Sequence, residues 1–245
     1  LIARRTPGHR QVFVAGLACL LFIAPARADH ESLPADYPAS LERELASVHS
    51  QLAVQGAEVD ELLHGAELYL NIADDLFSDE IKKRLAYEAG AEMAQRALQL
   101  DQRNAQAHFL YAVALGSAER LKGITHAGLA LSEIQRHVQR AVELDPAHAQ
   151  ALQMMGGLYA ELPWVLGGSE KEAESYLQRA IAADGRYTNA HLILARLLIK
   201  QGRMAEARTH LQAVLQVEHP HYPYAWTHTF KPEAERLLKA LPPCC

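Results

Sequence analysis

The stretch from Ala149 to Asp184 constrains the fold more than any other part of the chain. It holds two apolar stripes at helical spacing, joined by the turn Leu162-Pro163-Trp164-Val165-Leu166-Gly167-Gly168. Leu152, Met155, Gly156 and Tyr159 recur on one face of the first segment, and Ala173, Leu177, Ala180 and Ile181 on one face of the second. Residues three and four apart share a helix face, so each segment is predicted to be an amphipathic helix with one side to bury. Gly156, Gly157, Ala173 and Ala180 carry almost no side chain, which lets the two backbones approach closely. Ser169-Glu170-Lys171-Glu172 supplies a capping box for the second helix. A two-helix hairpin follows from these residues, and a hairpin alone leaves apolar surface uncovered, so more of the same is expected on either side.

The rest of the chain supplies it. Helices are predicted from Ser40 to about Val54, from Glu58 to Ala73 and from Ile81 to Leu100, with Ser40 and Ser78 as caps. Another opens at Asn104, with His108, Tyr111, Ala112 and Leu115 facing inward. Its partner carries Ile134, Val138 and Ala141 and stops at Asp145-Pro146. The most regular unit runs from Asn189 through Leu194, Ala195, Leu198, Ala207, Leu211 and Val214. Unit ends fall at Asp101, Asp145, Asp184 and His219, spacings of 44, 39 and 35 residues. The surplus of the longer units falls between their two helices, where Gly116–Ala130 reads as a long connection. Stacked turns of this kind are expected to build one continuous lip.

Composition narrows the function. The chain has 245 residues, 49% hydrophobic, enough for one substantial core. Arg4, Arg5 and Arg10, the apolar run Val12–Ala24 and Ala26-Arg27-Ala28 form the pattern of a cleaved secretory leader. Residues 1–28 hold four arginines and no acid, so their removal takes the formal charge from −5 to −9. That balance argues against nucleic acid or an anionic membrane as partner, since both reward clustered Lys and Arg. Cys19 would leave with the leader, and Cys244 and Cys245 sit side by side at the chain's end, so no disulfide framework is expected. The expected division is residues 1–28 as signal peptide, 29–56 as lead-in and first helix, 57–220 as about four hairpins, and 221–245 as C-terminal cap and tail. Within that cap, Tyr222, Tyr224 and Trp226 read as an extended packing segment before a last helix at Pro232.

No pattern for chemistry emerges. The chain lacks HExxH, GxSxG and a phosphate-cradling glycine loop, so no catalytic residue, metal site or cofactor is expected. Asp74, Asp75, Ser78, Asp79 and Glu80 lack the central glycine and alternation of a calcium loop. His219, His221 and His228 have no ligand-like helical spacing. The candidate binding residues are Arg120, Lys122, Tyr159, Leu162 and Trp164. Arg120 and Lys122 suit a carboxylate, or simply pair with Glu119. Trp164 among aliphatics must be covered by something. It either packs under the neighbouring insertion as a structural lid, the expected outcome, or walls an apolar pocket or self-association surface.

The order large-Gly-Tyr then Ala-Leu-Ala, with Ala141-Val142-Glu143-Leu144-Asp145-Pro146 and Gly202 before Ala205-Glu206-Ala207, resembles degenerate tetratricopeptide repeats of about 34 residues. The expected fold is an all-α, tetratricopeptide-like solenoid of helical hairpins with insertions in the intra-hairpin turns. The stretch around Lys122, then AVELDP, then LPWVLGG is further similar to the periplasmic T-component of tripartite ATP-independent periplasmic (TRAP) transporters and to the regulator-of-microtubule-dynamics group. The leader suits the first of these. Neither a lipobox nor any catalytic motif accompanies it. What the resemblance implies is a non-enzymatic periplasmic protein, expected as a homo-oligomer, that docks another envelope protein such as a solute-binding protein. The alternative is a carrier that holds a small organic ligand at the insertion-lined edge.

Overall fold

The computed structural model describes residues 33–242. The expected leader, Cys19 and the Cys244-Cys245 pair lie outside them. Ten helices follow in order: α1 (Ser40–Gln55), α2 (Val59–Asn71), α3 (Glu80–Leu100), α4 (Ala105–Lys122), α5 (Ile124–Leu144), α6 (Ala149–Glu161), α7 (Glu170–Ala183), α8 (Thr188–Lys200), α9 (Met204–Gln216) and α10 (Lys231–Ala240). No strand occurs among the described residues. The helices pair as hairpins α2/α3, α4/α5, α6/α7 and α8/α9, with α1 packed on α2 and α10 on α9.

Within each hairpin the two helices are buried differently. In α6 every residue from Ala149 to Leu158 is buried, whereas in α7 only Ala173, Leu177 and Ala180 are. The same contrast separates α8 from α9. The first helices form the inner layer, touched from several sides, and the second helices bury one narrow stripe. Alanine recurs at the closest contacts: Ala66, Ala94, Ala112, Ala141, Ala173, Ala180, Ala195 and Ala207 are completely buried. Small residues there bring the backbones close enough to interlock, and Leu62, Leu110, Leu152, Leu177 and Leu194 fill the remaining space.

Helix ends follow local chemistry. Asn104 and Ser169 accept hydrogen bonds from the backbone N–H groups of Ala107 and Glu172, as N-caps do. Asp101, Asp145 and Asp184 each terminate an outer helix in extended conformation. Two expected caps differ. The start of α1 is flanked by Ala39 with no side-chain cap, and α3 is capped by Asp79, whose carboxylate accepts from Lys82 N–H at 2.8 Å, rather than by Ser78. Asp wins there because it is one residue closer to the first helical turn.

The structure corrects three further expectations. Gly116–Ala130 is not a loop: α4 runs on to Lys122, Gly123 alone breaks the helix at φ +116°, and α5 begins at Ile124. The surplus residues of this unit lie between the repeat-like parts of its two helices, but they lengthen the helices, since Ala118, Leu121 and Leu131 continue the buried stripe. The segment carrying Tyr222, Tyr224 and Trp226 is also helical. A single turn, Pro223–Ala225, runs into a wide π-type turn, Trp226–Phe230, that continues as α10. Trp164, finally, is covered by none of the described residues. It is 83% exposed on a short 3-10 turn, Trp164–Leu166.

Candidate functional site

The exposed turn is held rigidly by its own backbone. Leu166 and Gly168 N–H donate to the Pro163 carbonyl at 2.8 and 3.0 Å, Gly167 N–H donates to Trp164, and Ser169 N–H donates to Tyr159 at 3.0 Å. Gly167 adopts φ +92°, and a Cβ on Gly168 would lie 1.7 Å from the Leu162 carbonyl oxygen. Both glycines are therefore needed to fold the turn this tightly. With its backbone satisfied locally, the turn presents Trp164, Val165 and Leu166 to solvent at 83, 64 and 54% exposure. Three adjacent large apolar side chains on a closed, rigid turn are what an interaction surface offers.

Of the remaining candidates, Leu162 and Tyr159 adjoin the turn, whereas Arg120 and Lys122 do not. Leu162 ends α6 and is half-buried. Tyr159 stacks on Tyr176 of α7 at 5.5 Å between centroids. Tyr159, Leu158 and Met155 line a cavity of about 360 Å³ with Leu166 and with Arg136 and Gln139 of α5. Arg120 and Lys122 lie elsewhere, at the end of α4. Lys122 is engaged by Glu119 at 2.8 Å and Glu88 at 3.0 Å, so its charge is already matched. Arg120 faces inward toward Asp74 and Tyr87, and its Nε is buried without a hydrogen-bond partner.

That inward side holds Asp74 and Asp75, which the sequence placed in an acidic cluster at a turn and not in the interior. After α2 the backbone widens into a π-type turn, Ile72–Leu76, which carries Asp74 and Asp75. Tyr87 donates to Asp74 and Tyr37 to Asp75. Burial pushes Asp74 up to about 7 and Asp75 up to about 6, against the lowering effect of those hydroxyls. Asp74 lies eight residues beyond Ala66 on the inward stripe of Leu62 and Ala66, the one signal that pointed to its burial.

A polar ladder continues along the inner helices. Gln106 donates to Glu67 at 2.8 Å and meets His148 at 2.8 Å. Gln150 Nε2 donates to the Tyr222 hydroxyl at 2.6 Å, and Tyr187 OH meets His221 Nε2 at 2.7 Å. His221 Nδ1 is 3.4 Å from Asp184, and His221 N–H donates to the Arg186 carbonyl at 3.1 Å. Hydroxyl, imidazole and carboxylate thus line up, but Tyr187, His221 and Tyr222 pack against one another in the interior. Burial raises the Tyr187 hydroxyl above its usual range and lowers His221 to about 4. Both are held neutral, and the alignment staples the C-terminal segment onto the inner helices. Tyr224 extends the staple to the N-terminal segment, 5.2 Å from the Tyr37 ring. These aromatics pack, as expected, but across the inner layer and not only over the last hairpin. His228 is bonded to the Tyr224 carbonyl at 2.9 Å. Among the described residues no group of three or more His, Cys, Asp or Glu can hold a metal, and no helix is long and apolar enough to cross a membrane.

The family model for regulator of microtubule dynamics protein 1-3 matches residues 41–242, from α1 to just past α10. The chain belongs to this family. Regulator of microtubule dynamics protein 1 from Bos taurus is 33% identical over 132 residues, which is 48% of this chain and 41% of the bovine protein. The Homo sapiens protein is 30% identical over 132 residues, covering 48% of this chain and 42% of its own length. The chain thus matches about two fifths of the length of these relatives. Among solved structures, a thermophilic TPR protein from Thermus thermophilus superposes with a TM-score of 0.60 at 16% identity, covering 80% of this chain and 91% of that one. That likeness establishes the tetratricopeptide-like solenoid fold.

Proposed function

We propose that this member of the regulator-of-microtubule-dynamics family is a non-enzymatic interaction scaffold that docks another protein through the Trp164–Leu166 turn. Helical-repeat stacks of this kind present extended surfaces to protein partners. The observation that carries the reading is the 83% exposure of Trp164 on a turn whose backbone hydrogen bonds are closed. Buried aromatic anchors dominate binding energy at protein interfaces, and a preformed turn loses little entropy on docking. The test places a photo-crosslinker at Val165 in the native host and compares wild type with Trp164→Ser. A discrete adduct that disappears in the variant, with helicity and melting temperature unchanged, supports docking. An adduct indifferent to Trp164, or none, refutes it.

The finer reading, an exported accessory of a TRAP-type transporter that docks its periplasmic solute-binding protein, rests on the leader pattern and on the stretches around Lys122, AVELDP and LPWVLGG. Identifying the crosslinked partner tests it directly. The relatives' name speaks of microtubule dynamics, but the match spans 41 to 42% of their length, and only the scaffold role is taken from it. The alternative of a small-ligand carrier is favoured by the 360 Å³ cavity beside Tyr159 and Leu166. A copurifying molecule of a few hundred daltons in native mass spectrometry would support it.

A further inference from the structure

The second and fourth hairpins share a local pattern. Asp101-x-Arg103-xxx-Ala107-His108 and Asp184-x-Arg186-xxx-Ala190-His191 place Asp, Arg, Ala and His at identical spacing across an inter-unit turn. Each histidine meets one from the outer helix of its own hairpin. His108 and His137 are 2.9 Å apart through their Nδ1 atoms, and His191 and His210 are 3.0 Å apart in the same way. The backbone beside the turn aspartate also bonds each inner histidine, the Gln102 carbonyl at 3.1 Å for His108 and Gly185 for His191.

The arginines behave differently in the two copies. Arg186 closes on Asp184 through Nε at 3.0 Å and Nη2 at 2.8 Å, a bidentate pair that uses both carboxylate oxygens. Arg203 is likewise fully matched, by Glu174 at 2.7 Å and Glu206 at 2.6 Å. In the second hairpin the Asp101 carboxylate accepts the backbone N–H of Arg103, at 2.8 Å, and no guanidinium N–H. The Arg103 guanidinium forms no ion pair or hydrogen bond among the described residues. It opens instead on a cavity of about 530 Å³ between α3 and α5, lined also by Gln99, Gln102, His108, His137 and Arg140. No carboxylate lines this cavity, in a chain of net charge −5. Arg140 is 3.2 Å from Glu143, but 43 and 49% of the two side chains is exposed, so water screens that pair.

We propose that this cleft is a binding site for a small organic anion bearing two or more oxyanion groups, held by Arg103 and Arg140. A guanidinium fork matches a carboxylate or phosphate with two parallel N–H donors. The exposed carboxamides of Gln99 and Gln102 add neutral donors at the rim of this solvent-open cleft. His108, bonded to the Gln102 carbonyl through Nε2–H, keeps Nδ1 as an acceptor for the His137 Nδ1–H. The pair therefore forms a rigid neutral floor, and the arginines supply the charge. The site is separate from the Trp164 turn and does not depend on the docking role.

The test titrates the full chain with succinate and, separately, with inorganic phosphate, following the Arg103 side chain and the His108 and His137 rings by NMR. The expected result is a saturable shift confined to these residues. Arg103→Gln and Arg140→Gln should each weaken binding about tenfold or more, the loss expected for one charged hydrogen-bonded contact. Arg103→Lys, which keeps the charge without the fork, should fall between. Arg208→Gln, a surface arginine on α9 bonded to the Pro242 carbonyl, should change nothing. Saturation by succinate alone assigns a carboxylate ligand, by phosphate alone a phosphate ester, and by both a shared oxyanion chemistry. No saturable shift with either anion overturns the proposal. So does a shift that survives in the Arg103→Gln, Arg140→Gln double variant, or one that Arg208→Gln removes equally.

Discussion

Gly156→Ala should destabilise the protein, although alanine is the better helix former. A Cβ built on Gly156 would lie 2.6 Å from Leu177 Cγ, 2.9 Å from its Cδ2 and 3.1 Å from its backbone nitrogen. Carbon atoms in good contact sit about 3.5–4.0 Å apart. Cγ and the backbone nitrogen cannot swing aside as the far end of a flexible chain would, so α6 and α7 must separate. Separation loosens the contacts of Ala173 and Ala180, both completely buried. Replacing a helical glycine by alanine gains about 1 kcal/mol, and overpacking a core costs about 1–3 kcal/mol. The net expectation is a loss of up to about 2 kcal/mol, or up to about 8 °C in melting temperature for a chain of this size. Thermal and urea unfolding followed by circular dichroism measure it. Gly128→Ala supplies the opposite sign, because that glycine is exposed on α5 with nothing within 4 Å of a new Cβ, so a gain of about 0.5–1 kcal/mol is expected. Leu177→Ala should relieve the clash, making the double variant less destabilised than the two single losses added together. If Gly156→Ala melts at or above wild type, the close approach of α6 and α7 is not what the glycine secures.

Asp74→Asn should change how stability depends on pH. The folded protein holds a proton on Asp74 up to about 7, while the unfolded carboxyl releases it near 3.8. Stability from this group is full below pH 3.8 and is lost as pH rises toward 7, by no more than about 4 kcal/mol. Asparagine still accepts from Tyr87 but cannot ionise, so the variant should gain on wild type in urea unfolding as pH rises from about 4 to about 7. Parallel curves over that range would show that Asp74 is not buried as a protonated acid. Tyr222→Phe removes the hydroxyl that accepts from Gln150 and leaves a buried amide unsatisfied. A loss of about 1–3 kcal/mol is expected, together with faster amide exchange in Pro223–Phe230, because the staple on that segment is weakened. Unchanged stability and exchange would show that the segment is held by packing alone.

Much of the architecture was legible in the chain. The apolar stripes of residues 152–159 and 173–181, the small residues between them and the caps at Asn104 and Ser169 act within one or two helical turns, so spacing alone reveals them. Asp101, Asp145 and Asp184 as unit ends are local in the same sense. The repeated Asp-x-Arg-xxx-Ala-His pattern was also present but carries no period of its own, and only the pairing of His108 with His137 and of His191 with His210 gave it meaning.

What tertiary structure alone decided depends on residues far apart in sequence. Gly116 suggested a loop, yet it is buried inside α4, in the middle of a continuous helix. Trp164 looked like a residue that required cover, but cover comes from a neighbouring element, and none among the described residues reaches it. Tyr222 finds Gln150 across 72 residues and Tyr37 finds Asp75 across 38, contacts no local pattern encodes. Local spacing determined which segments become helices and which faces they bury. The packing of each hairpin on the next determined which polar groups meet in the interior, because those groups lie on different helices.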